Sequence, residues 1–456
     1  MADDLNALRA ALPEGRVVTD PDIVAAYSRD YAEAVAPPGR ARCLVSARAA
    51  GEVAATMRWA SQHGVPVVPR GGGTGLAGGA AAVDGCVILS LARMNAIREL
   101  DPADEMAVAE AGVLNADLDR AAAAHGLMYA PDPSSYEIST IGGNLATNAG
   151  GLRCVKYGVT REAVLGLEVV LADGRVLRTG RRTVKGVAGY DLTSLFVGSE
   201  GTLGVITSAT LRLRPRPSEP PATVAASFPS FAAAARAVTA ILRARLQPSL
   251  LELLDRVTLR ALDDWKHLGF GDSVHALLIA QDDSDDPAHP RAAAMRQICT
   301  EHGALLAEVS DSEAESRQLL DIRRLAAQAT ERLGAMLVED VCVPRSRLPD
   351  MVERIERAAD RHGVMIATVA HAGDGNLHPV FVFDRQAEVP ASVWAAADEV
   401  FRAALDLGGT LTGEHGVGVI KRRWLAAELG EDSMAVHRAI KAALDPAGIL
   451  NPGKVI

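Results

Sequence analysis

Two histidines seven positions apart, His371 and His378, enclose a segment of the chain that is rich in glycine. The residues at 373–376, Gly-Asp-Gly-Asn, favour a tight turn over a helix, so the chain should fold back there between two adjacent strands. Both imidazoles can then face one point, as two metal ligands would. Two surface histidines in a turn are the other interpretation, and this segment alone does not separate the two.

A carboxylate and a further imidazole follow at Glu414 and His415, within the glycine-rich stretch 413–418. Two histidines and one glutamate would form a three-ligand set that leaves one coordination position open, which is typical of a catalytic divalent metal. A histidine cluster that binds no metal is the alternative.

The densest glycine cluster is the segment 70–79, which has six glycines in ten positions. Such a loop exposes backbone N–H groups without Cβ atoms in the way, so it can wrap closely around a phosphate. The stretch 73–78 matches G-x-G-x-x-G, but only seven residues separate it from the strand predicted to begin at Cys86. No crossover helix fits there. The loop therefore predicts a dinucleotide held by loop amides and not by a helix dipole.

Two more clusters, at 132–151 and 189–207, combine glycine with small polar side chains. In the first cluster, Asn144, Thr147 and Asn148 offer paired hydrogen-bond donors and acceptors, and the neighbouring glycines allow close approach. This combination suits the edge of a polar heterocycle.

The elements that must position these residues are short strands and helices on both sides of a proline-rich segment. Four prolines within 214–221 predict a linker. The periodicity predicts strands at 42–46, 65–68, 86–91, 165–171 and 203–213 and a helix at about 49–63 before it, and after it helices such as 231–246 with strands such as 274–280 and 364–369.

This order of elements predicts an α+β protein. The expected domains are 1–217, with a core at about 38–217, then 218–420, which contains the histidine pair, and a helical segment 421–456 that packs back on the first domain.

The composition excludes several classes of function. The chain has 456 residues and a formal net charge of −10, so nucleic acid and anionic lipid are not expected as partners. Its five cysteines form no CxxC pair, and its N-terminus lacks the basic start and apolar core of a signal peptide. No run approaches the roughly 18 apolar residues that cross a bilayer. We expect a cytoplasmic protein that is peripheral to a membrane only through a partner.

Six motifs in order resemble one family: Pro69–Gly79, 140–151, 189–207, 371–379, 413–418 and 451–454. The sequence resembles the FAD-binding oxidoreductases of the vanillyl-alcohol oxidase, or PCMH, type. Within them it is similar to the D-2-hydroxyacid dehydrogenases, a branch that includes enzymes acting on D-lactate, glycolate and D-2-hydroxyglutarate. The resemblance implies a PCMH-type FAD-binding domain followed by an α+β substrate, or cap, domain.

The resemblance also implies which residues hold the flavin. Some relatives attach FAD covalently to a histidine of the first loop; this chain has Gly73 and no histidine there, so its FAD should be non-covalent. The implied FAD contacts are Pro69, Arg70, Gly71, Gly72, Gly73, Thr74, Gly75, Leu76, Pro133, Thr140, Gly143, Asn144, Thr147, Gly150, Gly151, Glu200, Gly204, Val205, Ile206 and Asn451.

For the metal, the resemblance implies His371, His378 and Glu414 as ligands of zinc or manganese, with His415 as the general base. Arg323 stands where relatives carry an arginine that binds the substrate carboxylate, since a guanidinium can pair with it bidentately. The family usually has tryptophan where this chain has Leu320, so Arg324 remains the alternative.

The implied activity is the FAD-dependent oxidation of a small D-2-hydroxy acid, of the D-lactate or glycolate type, to the 2-keto acid. The alternatives are a D-2-hydroxyglutarate dehydrogenase and an FAD-carrying electron-transfer subunit of a multi-subunit glycolate oxidase. The electron acceptor would be a cytochrome, a quinone, an electron-transfer flavoprotein or a partner subunit, and a homodimer is compatible with this interpretation.

Overall fold

The computed structural model describes residues 2–385 and 388–456. The chain divides into two compact units, of which unit 1 comprises 1–150, 159–216 and 414–456 and unit 2 comprises 151–158 and 217–413. The division at the proline-rich segment lies within one residue of the predicted boundary. Two assignments differ from the prediction: the segment 151–158 belongs to unit 2, and the chain returns to unit 1 at Glu414 and not at 421.

Among the residues that the structure describes, unit 1 contains eleven strands and most of the short helices. Its helices are α1 (Ala2–Ala11), α2 (Pro21–Tyr27), α3 (Ala50–His63), α4 (Asn115–Ala123), α5 (Ile141–Thr147), α7 (Leu192–Phe196) and α14 (Arg422–Leu444). Its strands are β1 (Val17–Val18), β2 (Cys43–Ser46), β3 (Val67–Arg70), β4 (Val87–Ser90), β5 (Ile97–Asp101), β6 (Met106–Glu110), β7 (Leu127–Met128), β8 (Val164–Val170), β9 (Val176–Gly180), β10 (Val205–Arg212) and β11 (Arg214–Pro215).

These strands form a four-stranded sheet in the order β1-β2-β4-β3 and a five-stranded antiparallel sheet in the order β5-β6-β10-β8-β9. In the first sheet β4 pairs in parallel with both β2 and β3. Helix α3 covers this sheet with its apolar face, which includes Val53, Met57 and Ala60, as the hydrophobic period predicts. The predicted linker is partly regular, since β11 pairs with β7; a two-residue pairing tolerates Pro215, which cannot donate a backbone hydrogen bond.

Unit 2 is built on one antiparallel sheet in the order β15-β12-β14-β13-β18-β19-β16, with β17 also paired to β19. Its helices are α6 (Cys154–Tyr157), α8 (Phe231–Arg243), α9 (Arg256–Lys266), α10 (Pro290–Glu301), α11 (Glu313–Glu331), α12 (Leu348–His362) and α13 (Ala391–Asp406). Its strands are β12 (Ala222–Phe228), β13 (Leu250–Asp255), β14 (Ala276–Asp282), β15 (Leu306–Val309), β16 (Ala335–Val338), β17 (Val341–Cys342), β18 (Met365–His371) and β19 (Asn376–Phe383).

One part of the core of unit 2 lies between its sheet and helices α9 and α11. Leu250, Leu254 and Ile279 of the sheet pack there against Leu262 and Ala326 of the helices. The observed architecture confirms the predicted α+β class. Across 2–385 and 388–456, none of the helices is both long enough and apolar enough to span a bilayer.

Candidate active site

The glycine loop begins where β3 ends, at Arg70. An added Cβ on Gly72 would lie 2.6 Å from the carbonyl oxygen of Ile138, and one on Gly71 would overlap the hydroxyl of Thr140. These two glycines are therefore required because the loop packs directly on the segment 138–140. Gly75 is different, since a Cβ there would meet only the carboxylate of Asp30, at 3.7 Å.

Asp30 anchors the middle of this loop. Its carboxylate accepts the backbone N–H groups of Ala32 and Ala80, each at 3.1 Å, while the N–H of Tyr31 donates to the carbonyl of Gly75. Burial raises the pKa of Asp30, although these hydrogen bonds oppose the shift. Pro69 and Arg70 end β3, the last strand in the order of the four-stranded sheet, and the loop 71–76, with Thr74 and Leu76, follows them directly.

The second predicted flavin segment, 140–151, contains a short helix, α5, which the sequence does not predict. Thr140 is its N-cap, and its hydroxyl accepts the N–H of Gly143 at 3.2 Å. The next two amides are already used: Ile141 and Gly142 each donate to a carbonyl, of Val113 and Ala111, at 2.8 Å. The N-terminal amides of α5 are thus satisfied within the protein, so the helix end does not supply the phosphate-binding groups.

Three buried polar atoms of unit 1 lie in the predicted flavin segments without a hydrogen-bond partner among the described residues. They are Ser139 Oγ, Asn144 Nδ2 and Asn451 Oδ1, and each of these residues is at most 4% exposed. Because a buried polar atom without a partner costs about 1–3 kcal/mol, a bound polar group is the natural explanation. Together with the open space at Gly75, these atoms fit a bound dinucleotide.

Glu200 and Asn451 form hydrogen bonds with the stretch 417–418 and with the end of the glycine loop. The carboxylate of Glu200 accepts the N–H groups of Val417 and Gly418 at 2.7 and 2.9 Å. Asn451 Nδ2 donates to the carbonyls of Gly79 and Glu200 at 2.9 and 2.7 Å. Burial raises the pKa of Glu200 to about 7, and the two amides together with Lys421 and Lys454 limit the rise. Glu200 thus holds the stretch 417–418, and Asn451 holds the end of the glycine loop at Gly79.

The stretch that carries Glu414 and His415 is shaped by its glycines. Gly416 and Gly418 have φ of +86° and +48°, and a Cβ at Gly418 would overlap the carbonyl of Ala77. Within unit 1 the carboxylate of Glu414 lies against Gly150, where a Cβ would overlap it. His415, between Glu414 and Gly416 in the sequence, is half-buried.

The other predicted flavin contacts lie on framework elements. Gly204 precedes β10, where Val205 and Ile206 pair with Val170 and Val169 of β8, and a Cβ on Gly204 would lie 2.5 Å from Val169. Pro133 lies in the loop after β7, Thr147 ends α5, and Gly151 begins the part of the chain that belongs to unit 2.

In unit 2 the two histidines lie on the predicted hairpin. Strands β18 and β19 pair antiparallel, with His371 opposite Asn376 and His378 opposite Val369. The rings of His371 and His378 meet edge to face, with centroids 4.9 Å apart. One ring nitrogen of His371 lies within 4.8 Å of one ring nitrogen of His378. The turn needs Gly375, which has φ of +90°. The expectation that the turn brings the two imidazoles together is confirmed.

A buried glutamate that the sequence analysis missed connects this pair to the predicted arginine. Glu252, on β13, accepts from His371 Nδ1 at 2.8 Å and from Arg323 Nε at 2.7 Å. All three side chains are at most 6% exposed. The available signal was an ionisable residue in the middle of the apolar strand Leu-Leu-Glu-Leu-Leu.

The structure distinguishes the two adjacent arginines. Arg323 faces the sheet from α11, whereas the side chain of Arg324 is 43% exposed and pairs with Asp321, one turn away, at 3.6 Å. Leu320, at the position where the family usually has tryptophan, packs at the edge of the core under α11. Burial beside Glu252 favours Arg323 over Arg324 as the residue with a role in the site.

Gly413, the residue before Glu414, is held within unit 2 by a hydrogen bond and by close packing. Gly413, the last residue of that unit, donates its N–H to Asp340 Oδ2 at 2.7 Å, and a Cβ on Gly413 would lie 2.5 Å from the side chain of Asn376 in the histidine hairpin. Glu414 follows across one peptide bond, so its Cα is about 3.8 Å from that of Gly413.

The chain is similar to several known proteins. The chain matches the family described as FAD linked oxidases, C-terminal domain, over residues 218–455, and the FAD binding domain family over residues 41–180. It is 43% identical over 415 residues to the glycolate oxidase subunit GlcD of Bacillus subtilis (strain 168), covering 90% of this chain and 88% of that protein. It is 36% identical to the D-lactate dehydrogenase of Archaeoglobus fulgidus, covering 89% of each.

Among solved structures, the fold resembles 4-ethylphenol oxidase from Gulosibacter chungangensis, with a TM-score of 0.80 at 21% identity, and p-cresol methylhydroxylase, with a TM-score of 0.80 at 19% identity. Each comparison covers 100% of this chain and 96% of the other. The fold is therefore the PCMH type, and fold and site define a flavin-dependent oxidoreductase. The chain belongs to the FAD-linked oxidase family.

Proposed function

We propose that this protein oxidises a small D-2-hydroxy acid, of the D-lactate or glycolate type, to the 2-keto acid. The observation that carries the proposal is the buried group of His371 and Arg323 around Glu252, with His378 beside it. Two imidazoles and a guanidinium in one place suit a substrate that has a hydroxyl group next to a carboxylate. The names of the two relatives, a glycolate oxidase subunit and a D-lactate dehydrogenase, support the same substrate class.

In this proposal the chain's own residues have separate tasks. His371, His378 and Glu414 hold a divalent metal, for which Zn²⁺ is the first candidate and Mn²⁺ the second. Arg323 binds the substrate carboxylate through its guanidinium, and His415 accepts the hydroxyl proton as general base. When bound, the metal supplies a Lewis acid for the substrate oxygens and the flavin supplies the hydride acceptor.

The flavin is held non-covalently by the glycine loop, by the segment 140–151 and by Asn451. Three observations in unit 1 support this part of the proposal: the open face at Gly75, the buried polar atoms of Ser139 and Asn144, and the clasp made by Asn451. Since Gly73 replaces any attachment histidine in this loop, the chain has no imidazole there for a covalent bond.

The test is a panel of D- and L-2-hydroxy acids with an artificial dye as electron acceptor. D-lactate or glycolate should reduce the bound flavin, L-lactate should not, and removal of metal by a chelator should abolish turnover while FAD stays bound. A preference for D-2-hydroxyglutarate would move the protein to that alternative. Full activity in a verified metal-free preparation would contradict the ligand assignment, and absence of flavin reduction by every acid would favour an electron-transfer subunit.

A further inference from the structure

The carboxylate of Glu252 is shared by two side chains that the proposed function assigns to different partners. His371 Nδ1 lies 2.8 Å from Oε1 and 3.0 Å from Oε2, and Arg323 Nε lies 2.7 Å from Oε2. The side chain of Glu252 has no exposed surface. It projects from β13 on the side where Leu250 and Leu254 pack against α9 and α11.

The chemistry of this group determines which ring nitrogen of His371 donates to Glu252. Arginine remains protonated in proteins, so Glu252 and Arg323 form an ion pair, and an ionised carboxylate can only accept hydrogen bonds. His371 must therefore donate from Nδ1. In the neutral imidazole, which is the form that binds a metal, Nε2 is then the nitrogen that carries the lone pair, and the hydrogen bond also fixes the plane of the ring.

The same carboxylate fixes the guanidinium of Arg323. Glu252 takes the Nε–H, so it sets the plane of the guanidinium while the Nη groups point away from Nε. A guanidinium that is already held at Nε loses little conformational entropy when its Nη groups pair with a second carboxylate. Glu252 can thus orient the carboxylate-binding group and the metal-binding group together.

Stability alone does not explain this arrangement. A buried ion pair is often no more stable than well-packed apolar residues of the same size, because both charges lose their hydration. Here the pair lies beside Leu250, Leu254 and Ala326, in a core that apolar side chains could fill.

We propose that Glu252 is a positioning residue that selects the metal-binding tautomer of His371 and at the same time orients Arg323 toward the substrate carboxylate. The proposal rests on the proposed function for the identity of the metal and of the substrate. Glu252 itself touches neither; it acts through the two side chains that it holds.

The test is Glu252→Gln in the purified, FAD-loaded protein. A glutamine oxygen can still accept from Arg323, but its amide N–H groups would face Nδ1 of His371 and favour the tautomer with the proton on Nε2. After removal of metal, Zn²⁺ affinity is measured by competition with a chromophoric chelator. We expect a loss of about 10- to 100-fold, the usual effect of removing an outer-shell partner of a metal-bound histidine.

Two variants provide the controls. Asp255→Asn removes another buried carboxylate from the same strand, one whose own role is to cap α9 by accepting the N–H of Thr258 at 2.8 Å, and it should leave Zn²⁺ affinity unchanged. His378→Ala removes a proposed ligand directly and should abolish tight Zn²⁺ binding. In steady-state assays Glu252→Gln should also raise KM for the hydroxy acid. Asp255→Asn should not raise this KM, so a rise in Glu252→Gln alone cannot come from a general fold defect.

The outcomes separate this inference from the proposed function. If His378→Ala loses Zn²⁺ and Glu252→Gln binds it as the wild type does, the role of Glu252 is wrong and the metal site stands. If His378→Ala binds Zn²⁺ normally, the metal site and this inference both fail. Should Glu252→Gln not fold because Arg323 is left as an unpaired charge, the double variant Glu252→Gln/Arg323→Gln removes both charges, and its Zn²⁺ affinity must fall by the same factor.

Discussion

The substitution Gly72→Ala, compared with Gly75→Ala, tests why the loop after β3 is built of glycine. At position 72 a Cβ would lie 2.6 Å from the carbonyl oxygen of Ile138, whereas at position 75 it would meet only Asp30, at 3.7 Å. Neither glycine has a positive φ, so the two substitutions differ in the available space and not in backbone strain.

The expected magnitudes follow from these distances. The obstacle at position 72 is backbone and cannot rotate away, so the loop must open by about 0.8 Å to restore an ordinary contact of 3.4 Å. Such overpacking costs about 1–3 kcal/mol in the free energy of unfolding. Gly75→Ala should leave stability within about 0.5 kcal/mol of the wild type, because alanine meets no clash there and restricts the unfolded chain.

Binding of FAD should separate the two variants further. In Gly75→Ala a methyl group would lie on the open face of the loop, where we propose that backbone amides approach the pyrophosphate, so FAD affinity should fall at least about tenfold, or about 1.4 kcal/mol. Stability is measured by urea unfolding of the deflavinated protein and affinity by quenching of FAD fluorescence. A Gly72→Ala protein as stable as the wild type would refute the packing argument, and unchanged FAD affinity in Gly75→Ala would refute the role of the loop.

Three further predictions concern the flavin, the proposed base His415 and the buried carboxylate of Glu200. Acid precipitation should release all FAD into the supernatant, because the loop has Gly73 and no histidine; flavin left in the pellet would contradict this. His415→Ala should lower kcat by about 10²-fold or more while metal and FAD contents stay constant, and flavin reduction at the wild-type rate would exclude His415 as the base. Burial raises the pKa of Glu200 from 4.5 to about 7, so the folded state binds that proton more tightly than the unfolded chain does. The free energy of unfolding of the deflavinated protein should therefore fall as pH rises through this window, by at most about 3 kcal/mol, and Glu200→Gln should flatten the dependence; an unchanged pH profile in the variant would count against it.

Local chemistry made some of this structure predictable from the sequence. The predicted turn lies at 372–375 and follows from Gly373, Asp374 and Gly375, while Asn376 already begins β19; the turn is enough to place His371 beside His378. The strand predicted at 203–213 appears as Val205–Arg212 because a run rich in β-branched and apolar residues is a local signal. Each of these predictions needs no knowledge of what the rest of the chain does.

Predictions failed where distant packing decides the structure. Helix α5 begins Ile-Gly-Gly, a poor start for a helix, yet Gly142 is required because a Cβ there would lie 2.6 Å from Ala111. Glu252 joins residues 71 and 119 positions away along the chain. Glu200 accepts its two hydrogen bonds from residues more than 200 positions away. A local sequence pattern cannot predict hydrogen-bond partners that are this distant in the chain.

Backbone N–H groups before and after the proposed base in the chain donate to buried carboxylates, each within its own unit. In unit 2 Asp340 accepts the N–H of Gly413 and the hydroxyl of Thr412, at 2.7 and 2.9 Å. In unit 1 Glu200 accepts the N–H groups of Val417 and Gly418. Only three residues, 414–416, lie between these attachments, and they include both proposed functional side chains. Each attachment restrains, within its own unit, the backbone near the proposed functional side chains, so less conformational freedom has to be lost there when a ligand binds.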